Sequence, residues 1–195
     1  MGGCFSSPAG ATTTTSGLSR NPPVLFFPDA KMPCRAFLQG KPCKRGASCN
    51  FAHETTSLSR LLEVINGARQ TLDVCVFTIT CNEIADAVID AKKRGVVVRV
   101  ISDDEQAKSQ GSDLGRIGKE IEVRTDADPV THMHHKFAIV DKVTLINGSF
   151  NWTRQAVLGN QENIVIQTDF LLCHTFQKQF DKMWLAYKAN RYVGR

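Results

Sequence analysis

Apolar positions change period along the chain, and the changes mark out its elements. Between Ser57 and Gly67 they recur three and four apart, at Leu58, Leu61, Leu62 and Ile65, which predicts an amphipathic helix that Ser57 or Ser59 can cap. The largely apolar run Leu72–Thr80 predicts a buried strand. Asn82 caps a second predicted helix with Ile84, Ala85, Val88 and Ile89 on one face, and Lys92-Lys93-Arg94-Gly95 stops it with cations and then glycine. A strand at Val96–Ile101, a broken helix over Glu105–Gly118 and a short strand Ile121–Arg124 follow. Strands Lys136–Val140, Val143–Asn147 and Glu162–Gln167 come next, and a long amphipathic helix runs from about Asp169 to Ala189. Strand alternating with helix predicts an α/β fold over 57–195, a sheet layered by helices, and no internal repeat is visible.

Composition narrows the class. The 195 residues are 42% hydrophobic and 22% charged, with a formal net charge of +5, which fits one well-buried domain with a small module attached and excludes a disordered or fibrous chain. No apolar run is long enough to span a bilayer. Residues 1–23 are rich in Thr, Ser, Gly and Pro and poor in large apolar side chains, so they are expected to form a flexible arm. Within it, Gly2 and Ser6 fit the M-G-x-x-x-S pattern for N-myristoylation, and Cys4 is placed for a second acyl chain, which would anchor the protein at a membrane surface. The seven cysteines are an odd number, and three of them crowd between Cys34 and Cys49, which points to a reducing compartment and a metal site in preference to disulfides. Cys75, Cys81 and Cys173 lie in apolar contexts and read as core thiols.

The segment 24–56 carries the crowded cysteines. Cys34, Cys43, Cys49 and His53 are spaced Cys-x8-Cys-x5-Cys-x3-His, four soft or borderline ligands that suit a closed tetrahedral zinc site. Gly40 and Gly46 allow tight turns between them, and Phe37 and Phe51 can pack a knuckle too small for its own core. Residues 34–53 resemble a CCCH zinc finger, a family whose members often bind single-stranded RNA. Phe37, Phe51, Lys41, Lys44 and Arg45 suit stacking and phosphate contact, and equally suit a scaffold with solvated charge.

The catalytic chemistry concentrates in HMHHKFAIVDKVTLINGSFNW. It holds His134-x-Lys136-x4-Asp141 and then Gly148-Ser149-x-Asn151. On a strand, His134 and Lys136 share a face, so a nucleophile and a cation stand together. A phosphodiester repels anionic nucleophiles, so cleavage needs its nonbridging oxygens neutralised and a nucleophile already in place. Lys136, Asn151 and Ser149 offer the first, and an unprotonated His134 offers the second. Asp141 reads as a brace for the motif, and His132 and His135 carry no assigned role.

This pattern resembles the phospholipase D superfamily motif, HxKxxxxD followed by GSxN, from about Leu58 to the end of the chain. The resemblance implies a mixed sheet layered by helices and a phosphohistidine mechanism without catalytic metal. It also implies that Glu162 is the carboxylate that orients His134. Since one motif is present, it implies a homodimer whose site is shared between two copies of His134. Within the superfamily the chain is most similar to the Zucchini, or mitochondrial phospholipase D, group, through LFFP at Leu25–Pro28, LSRLL at Leu58–Leu62, MHHKFAIVDK and NGSFNWTRQAV. That similarity implies an endoribonuclease cutting single-stranded precursors of PIWI-interacting RNAs at the cytosolic face of the mitochondrial outer membrane, or a hydrolase of cardiolipin, an anionic phospholipid, yielding phosphatidic acid. A zinc-finger RNA-binding protein without catalysis is the alternative of a different class, and intact His134, Lys136, Asn151 and Glu162 count against it.

Overall fold

The computed structural model describes residues 24–128 and 130–193, so the 1–23 arm with Gly2, Cys4 and Ser6 lies outside the described residues. The sheet grows from its middle. Strands β2 (Thr71–Val76) and β3 (Val97–Ser102) run parallel, with Val74 opposite Val100, and helix α3 (Asn82–Lys93) makes the crossover between them. Strand β4 (Glu122–Thr125) continues the parallel set beside β3. On the other side of β2 comes an antiparallel meander of β5 (Lys136–Val140), β6 (Thr144–Gly148) and β7 (Glu162–Gln167). Strands β1 (Val24–Phe27) and β8 (Arg191–Tyr192) cover the two edges, giving the mixed order β1-β7-β6-β5-β2-β3-β4-β8.

Period-two alternation divides the core into two layers. Leu72, Val74 and Val76 face α2 (Ser57–Asn66), α3 and α5 (Leu114–Ile117), while Cys75, Ile101, Phe137, Ile139 and Leu145 face α7 (Phe170–Ala186) through Cys173, Phe180 and Met183. The expected layered α/β sheet and the three core thiols are therefore present. The helix α7 is also tied down by charge: buried Asp73 accepts two 2.7 Å bonds from Arg99 and one of 2.8 Å from Gln177, and Arg99 reaches Asp181 at 2.8 Å.

Element ends differ from the sequence expectation where capping chemistry decides. Thr56 is the N-cap of α2, in a capping box with Ser59, while the Ser57 hydroxyl donates to the Phe26 carbonyl instead. Asn82 is the first residue of α3, and Cys81 occupies its cap position without a side-chain bond. Strand β2 ends at Val76, although the Phe77 N–H still donates to the His135 carbonyl in the register of the β2–β5 pair, and beyond it Ile79 bridges to Trp152. The break in the Glu105–Gly118 region separates α4 (Asp104–Lys108) from α5. Short α6 (Arg154–Leu158) follows the GSxN segment, capped by Thr153.

The β5–β6 turn carries Asp141 and Lys142, both with positive φ (51° and 61°), a conformation that aspartate tolerates better than most residues. The Asp141 carboxylate accepts the backbone N–H groups of Arg69, Gln70 and Thr71 at 2.7–3.1 Å, and so fastens the start of β2 to the motif hairpin. Burial alone would raise this carboxyl, but the three amide donors prevail and hold it below the usual range. Stability linked to this group is therefore present above the ordinary carboxyl value and is lost as pH falls through the lowered one. Asp141→Asn, which tolerates the same φ, is expected to lower unfolding free energy by about 1–2 kcal/mol at neutral pH, the scale of a charge-assisted hydrogen bond. In urea denaturation the difference from wild type should close as pH falls below about 4.

Candidate active site and metal cluster

Strand β5 begins at Lys136, and the residues just before it place the histidines. Met133 is buried with its sulfur 3.5 Å from that of Cys75, and this anchor leaves His132 and His134 exposed on either side. Lys136 Nζ lies 2.9 Å from His134 Nδ1 and donates a second 2.9 Å bond to the His134 carbonyl. An ammonium only donates, so His134 accepts at Nδ1 and carries its own proton on Nε2. Burial first, then the charges of Lys136 and His132, hold His134 below the usual imidazole value. Burial also lowers Lys136, opposed by the charge of Glu162.

The GSxN segment is fixed by a close approach of two strands. A Cβ on Gly148 would sit 2.0 Å from the Asn163 carbonyl oxygen, so only glycine fits there. Ser149 then meets β7 twice: its N–H donates to the Asn163 carbonyl at 3.1 Å, and its Oγ accepts the Asn163 N–H at 3.2 Å. The Ser149 hydroxyl donates to Glu162, whose other oxygen accepts from Asn160 Nδ2 at 3.2 Å. The side-chain oxygen of Asn151 is buried with no partner among the described residues, unlike the bonded oxygens of its neighbours Ser149 and Glu162.

The expected residues are thus partly brought together. His134 and Lys136 are joined directly, Ser149 and Glu162 are joined to each other, and the charge of Glu162 is felt at Lys136. Asp141 stands at the opposite end of β5 from Lys136, with its carboxylate on the amides at the start of β2. Among the described residues no hydrogen bond joins Glu162 to His134; within one chain its carboxylate is occupied by Ser149 and Asn160. Sequence reasoning missed Phe77 and Asp103. The Phe77 ring underlies the site, with its centroid 4.6 Å from the ring of His134, 5.6 Å from that of His132 and 5.1 Å from Lys136 Nζ. Asp103 holds His132 Nδ1 at 2.9 Å. The third histidine, His135, packs edge-on against Phe137, and burial lowers its pKa.

The finger is inserted between β1 and α2. Its two ends are joined by backbone, Cys34 N–H donating to the Ala52 carbonyl and Ala52 N–H to the Met32 carbonyl at 2.8 and 2.9 Å, and Met32 is buried in the main core. Gly40 and Gly46 take the left-handed φ expected of them, +64° and +49°. The four ligand atoms of Cys34, Cys43, Cys49 and His53 lie within 4.8 Å of one another, and the Cys34 and Cys49 sulfurs are 4.0 Å apart. Tetrahedral zinc with bonds of about 2.3 Å to sulfur needs sulfurs roughly 3.8 Å apart, so the cluster fits the metal. Backbone N–H groups of Phe37 and then Ala36, at the start of α1 (Arg35–Leu38), pull the Cys34 thiol down to about 6 against its burial. At Cys49 a bond from the Phe51 backbone pulls the same way, but burial and the facing Cys43 and Cys34 sulfurs raise the thiol overall. Phe37 is half-buried and Phe51 exposed, so the expected aromatic packing of the knuckle is slight, and α1 buries nothing. The finger cations Arg35, Lys41, Lys44 and Arg45 line a cleft of about 810 Å³ whose other wall includes Glu83, Asp86 and Asp90 of α3.

Comparison with known proteins agrees with this geometry. The family described as "Cardiolipin synthase, PLD-like domain" matches residues 61–184, and the C-x8-C-x5-C-x3-H zinc finger family matches residues 32–55. The mitochondrial cardiolipin hydrolase of Chlamydomonas reinhardtii is 48% identical over 187 residues, covering 95% of this chain and 82% of that protein. That of Mus musculus is 40% identical over 173 residues, covering 87% and 78%. Among solved structures, the phospholipase D family member Nuc from Salmonella typhimurium superposes with a TM-score of 0.65 at 30% identity, covering 71% of this chain and 91% of Nuc. The chain belongs to the phospholipase D family and is a phosphodiester hydrolase that carries a CCCH zinc finger.

Proposed function

We propose that the chain works as a homodimer that cleaves single-stranded RNA through a phosphohistidine intermediate, with His134, Lys136, Asn151, Ser149 and Glu162 forming the site. The observation that carries this reading is the state of His134. Its Nδ1 is held by Lys136 at 2.9 Å, and no carboxylate among the described residues reaches it. When a phosphodiester enters, its nonbridging oxygens compete for the Lys136 ammonium and draw it off the imidazole. The Asn151 amide gains a partner in the same step. His134 then needs a carboxylate on Nδ1, so that Nε2 is free to attack, and the leaving oxygen needs an acid. In this reading a twofold-related copy supplies both.

The chemistry then balances in two displacements. Once the ring proton of His134 has moved from Nε2 to Nδ1, the Nε2 lone pair forms a bond to phosphorus as the bond to the leaving oxygen breaks, and the partner's His134, as imidazolium, gives that oxygen a proton. The same imidazole next takes a proton from water, whose oxygen attacks phosphorus and breaks the P–N bond. Lys136 supplies the counter-charge that a divalent metal provides elsewhere, so no catalytic metal is invoked. Ser149 positions Glu162, and Asp141 holds the hairpin. Zinc on Cys34, Cys43, Cys49 and His53 is structural, since four protein ligands leave no open position.

Single-stranded RNA is favoured by the CCCH finger fixed to the catalytic domain and by the net charge of +5. The acidic wall facing the finger's cations offsets part of their field, which places more of the RNA contact on the catalytic face. The similarity to the Zucchini group extends the reading to precursors of PIWI-interacting RNAs. A second reading, hydrolysis of cardiolipin at a membrane surface, is favoured by the name that the curated relatives carry. The names of those relatives favour a mitochondrial placement, which we extend to the cytosolic face of the outer membrane, with acylation at Gly2 and Cys4 as a means of attachment.

Purified protein incubated in parallel with single-stranded RNA, duplex RNA and cardiolipin vesicles is expected to cleave the single strand, and His134→Ala to lower the rate at least 1,000-fold, roughly the loss typical of a removed nucleophile. Brief EDTA treatment that leaves the finger's zinc in place should not slow the reaction, and a loss restored by magnesium would contradict the role of Lys136. Cys43→Ser should release zinc, measured by atomic absorption, and lower RNA affinity or local folding before it changes the cleavage step. Retention of full zinc content by that variant would overturn the ligand set.

A further inference from the structure

A second imidazole stands at the same site and is not used by the chemistry above. His132 is 48% exposed, and its Nδ1 lies 2.9 Å from Oδ2 of Asp103, whose side chain is fully buried. The other oxygen of Asp103 accepts the backbone N–H groups of Glu105 and Gln106 at 3.1 and 3.0 Å, where it caps α4. Oδ2 is therefore available to His132, which donates from Nδ1 and turns Nε2 outward. Among the described residues nothing bonds to that Nε2.

His132, His134 and Lys136 alternate along the chain over one aromatic floor, the ring of Phe77. His134 and Lys136 are bonded to each other at 2.9 Å, and neither is bonded to His132. His132 is thus a separate donor on the same face, oriented by a residue 29 positions earlier in the chain. An imidazole held at Nδ1 by a carboxylate can carry a second proton on Nε2 and present it to a phosphate oxygen, with an anion on each side of the ring. A substrate with one phosphate engages the His134–Lys136 pair and leaves His132 empty. A chain of phosphates engages both.

We propose that His132, oriented by Asp103, binds the phosphate next to the scissile one in a single-stranded nucleic acid, and so selects substrates with successive phosphates. This rests on the phosphodiesterase site described under the proposed function. Phe77 serves it as a hydrophobic floor that keeps the two imidazoles and the ammonium on one plane of approach.

The test compares wild type and His132→Gln, a change that keeps a donor for Asp103, on a single-stranded octanucleotide and on a dinucleoside monophosphate whose only phosphate is the scissile one. The wild type is expected to prefer the octanucleotide. The ratio of kcat/KM for the two substrates should fall about tenfold in the variant, the scale of one hydrogen bond to a charged group. An unchanged ratio overturns the proposal, whether both rates hold or both fall together; an equal fall would place His132 at the reacting bond. Vesicles of cardiolipin, with two phosphates, and of phosphatidylglycerol, with one, form the lipid arm. A preference for cardiolipin that depends on His132, with the octanucleotide ratio unmoved, overturns the nucleic-acid assignment in favour of lipid. Wild type inactive on all four substrates overturns the phosphodiesterase reading and this one with it, whereas an active wild type whose ratio His132→Gln does not move overturns only the role of His132.

Discussion

The active site depends on how closely strands β6 and β7 approach at Gly148. With no side chain there, the Asn163 carbonyl comes within 2.0 Å of where a Cβ would be, and the backbone of Ser149 locks to that of Asn163. From this contact follow the bond between Ser149 and Glu162, the position of Asn151 at the start of the next turn, and the negative charge felt at Lys136. The glycine of the motif is therefore a matter of strand geometry, and the serine and asparagine beside it inherit their positions from it. At the other end of the hairpin Asp141 does the corresponding work by clasping three amides at the start of β2.

A rigid frame of this kind suits a reaction in which the protein contributes charge placement and one nucleophile. The His134–Lys136 pair holds a cation and an imidazole in contact at 2.9 Å, with Nδ1 as the acceptor. In the proposed function, substrate supplies the anion that releases the pair. Backbone bonds at Cys34 and Ala52 close the base of the finger beside buried Met32, although the finger has almost no core of its own. Metal then orders a segment that packing alone would leave weakly held.

Much of this was legible in the sequence, for reasons that differ from residue to residue. His134 and Lys136 could be paired because period-two spacing puts them on one face, and the finger ligands because Cys-x8-Cys-x5-Cys-x3-His is itself a geometric statement. The buried strands β2, β3 and β5 showed as apolar runs because both of their faces are covered. What could not be read depended on tertiary placement. The His132–Asp103 pair joins residues 29 apart through the end of β3, and the only signal was an aspartate just after a strand and an extra histidine in the motif. The edge strands β1 and β8 gain their structure from neighbours far along the chain, and the cap of α2 falls on Thr56, whose hydroxyl accepts the Ser59 N–H, while the Ser57 hydroxyl donates to the Phe26 carbonyl. Resemblance assigned Glu162 to His134, but within one chain Ser149 and Asn160 hold that carboxylate.

The central claim is that His134 acts only in company with a second copy of itself. It is tested most directly by unfolding and refolding wild type with an equal amount of His134→Ala, the subunits carrying different tags so that mixing is verified, and measuring cleavage per total dimer. If each dimer has one composite site, a mixed dimer lacks either the nucleophile or the acid, and only the wild-type pairs, about a quarter of the population under random twofold pairing, remain active. Activity near one half would contradict the claim, because it would show that each chain carries a complete site.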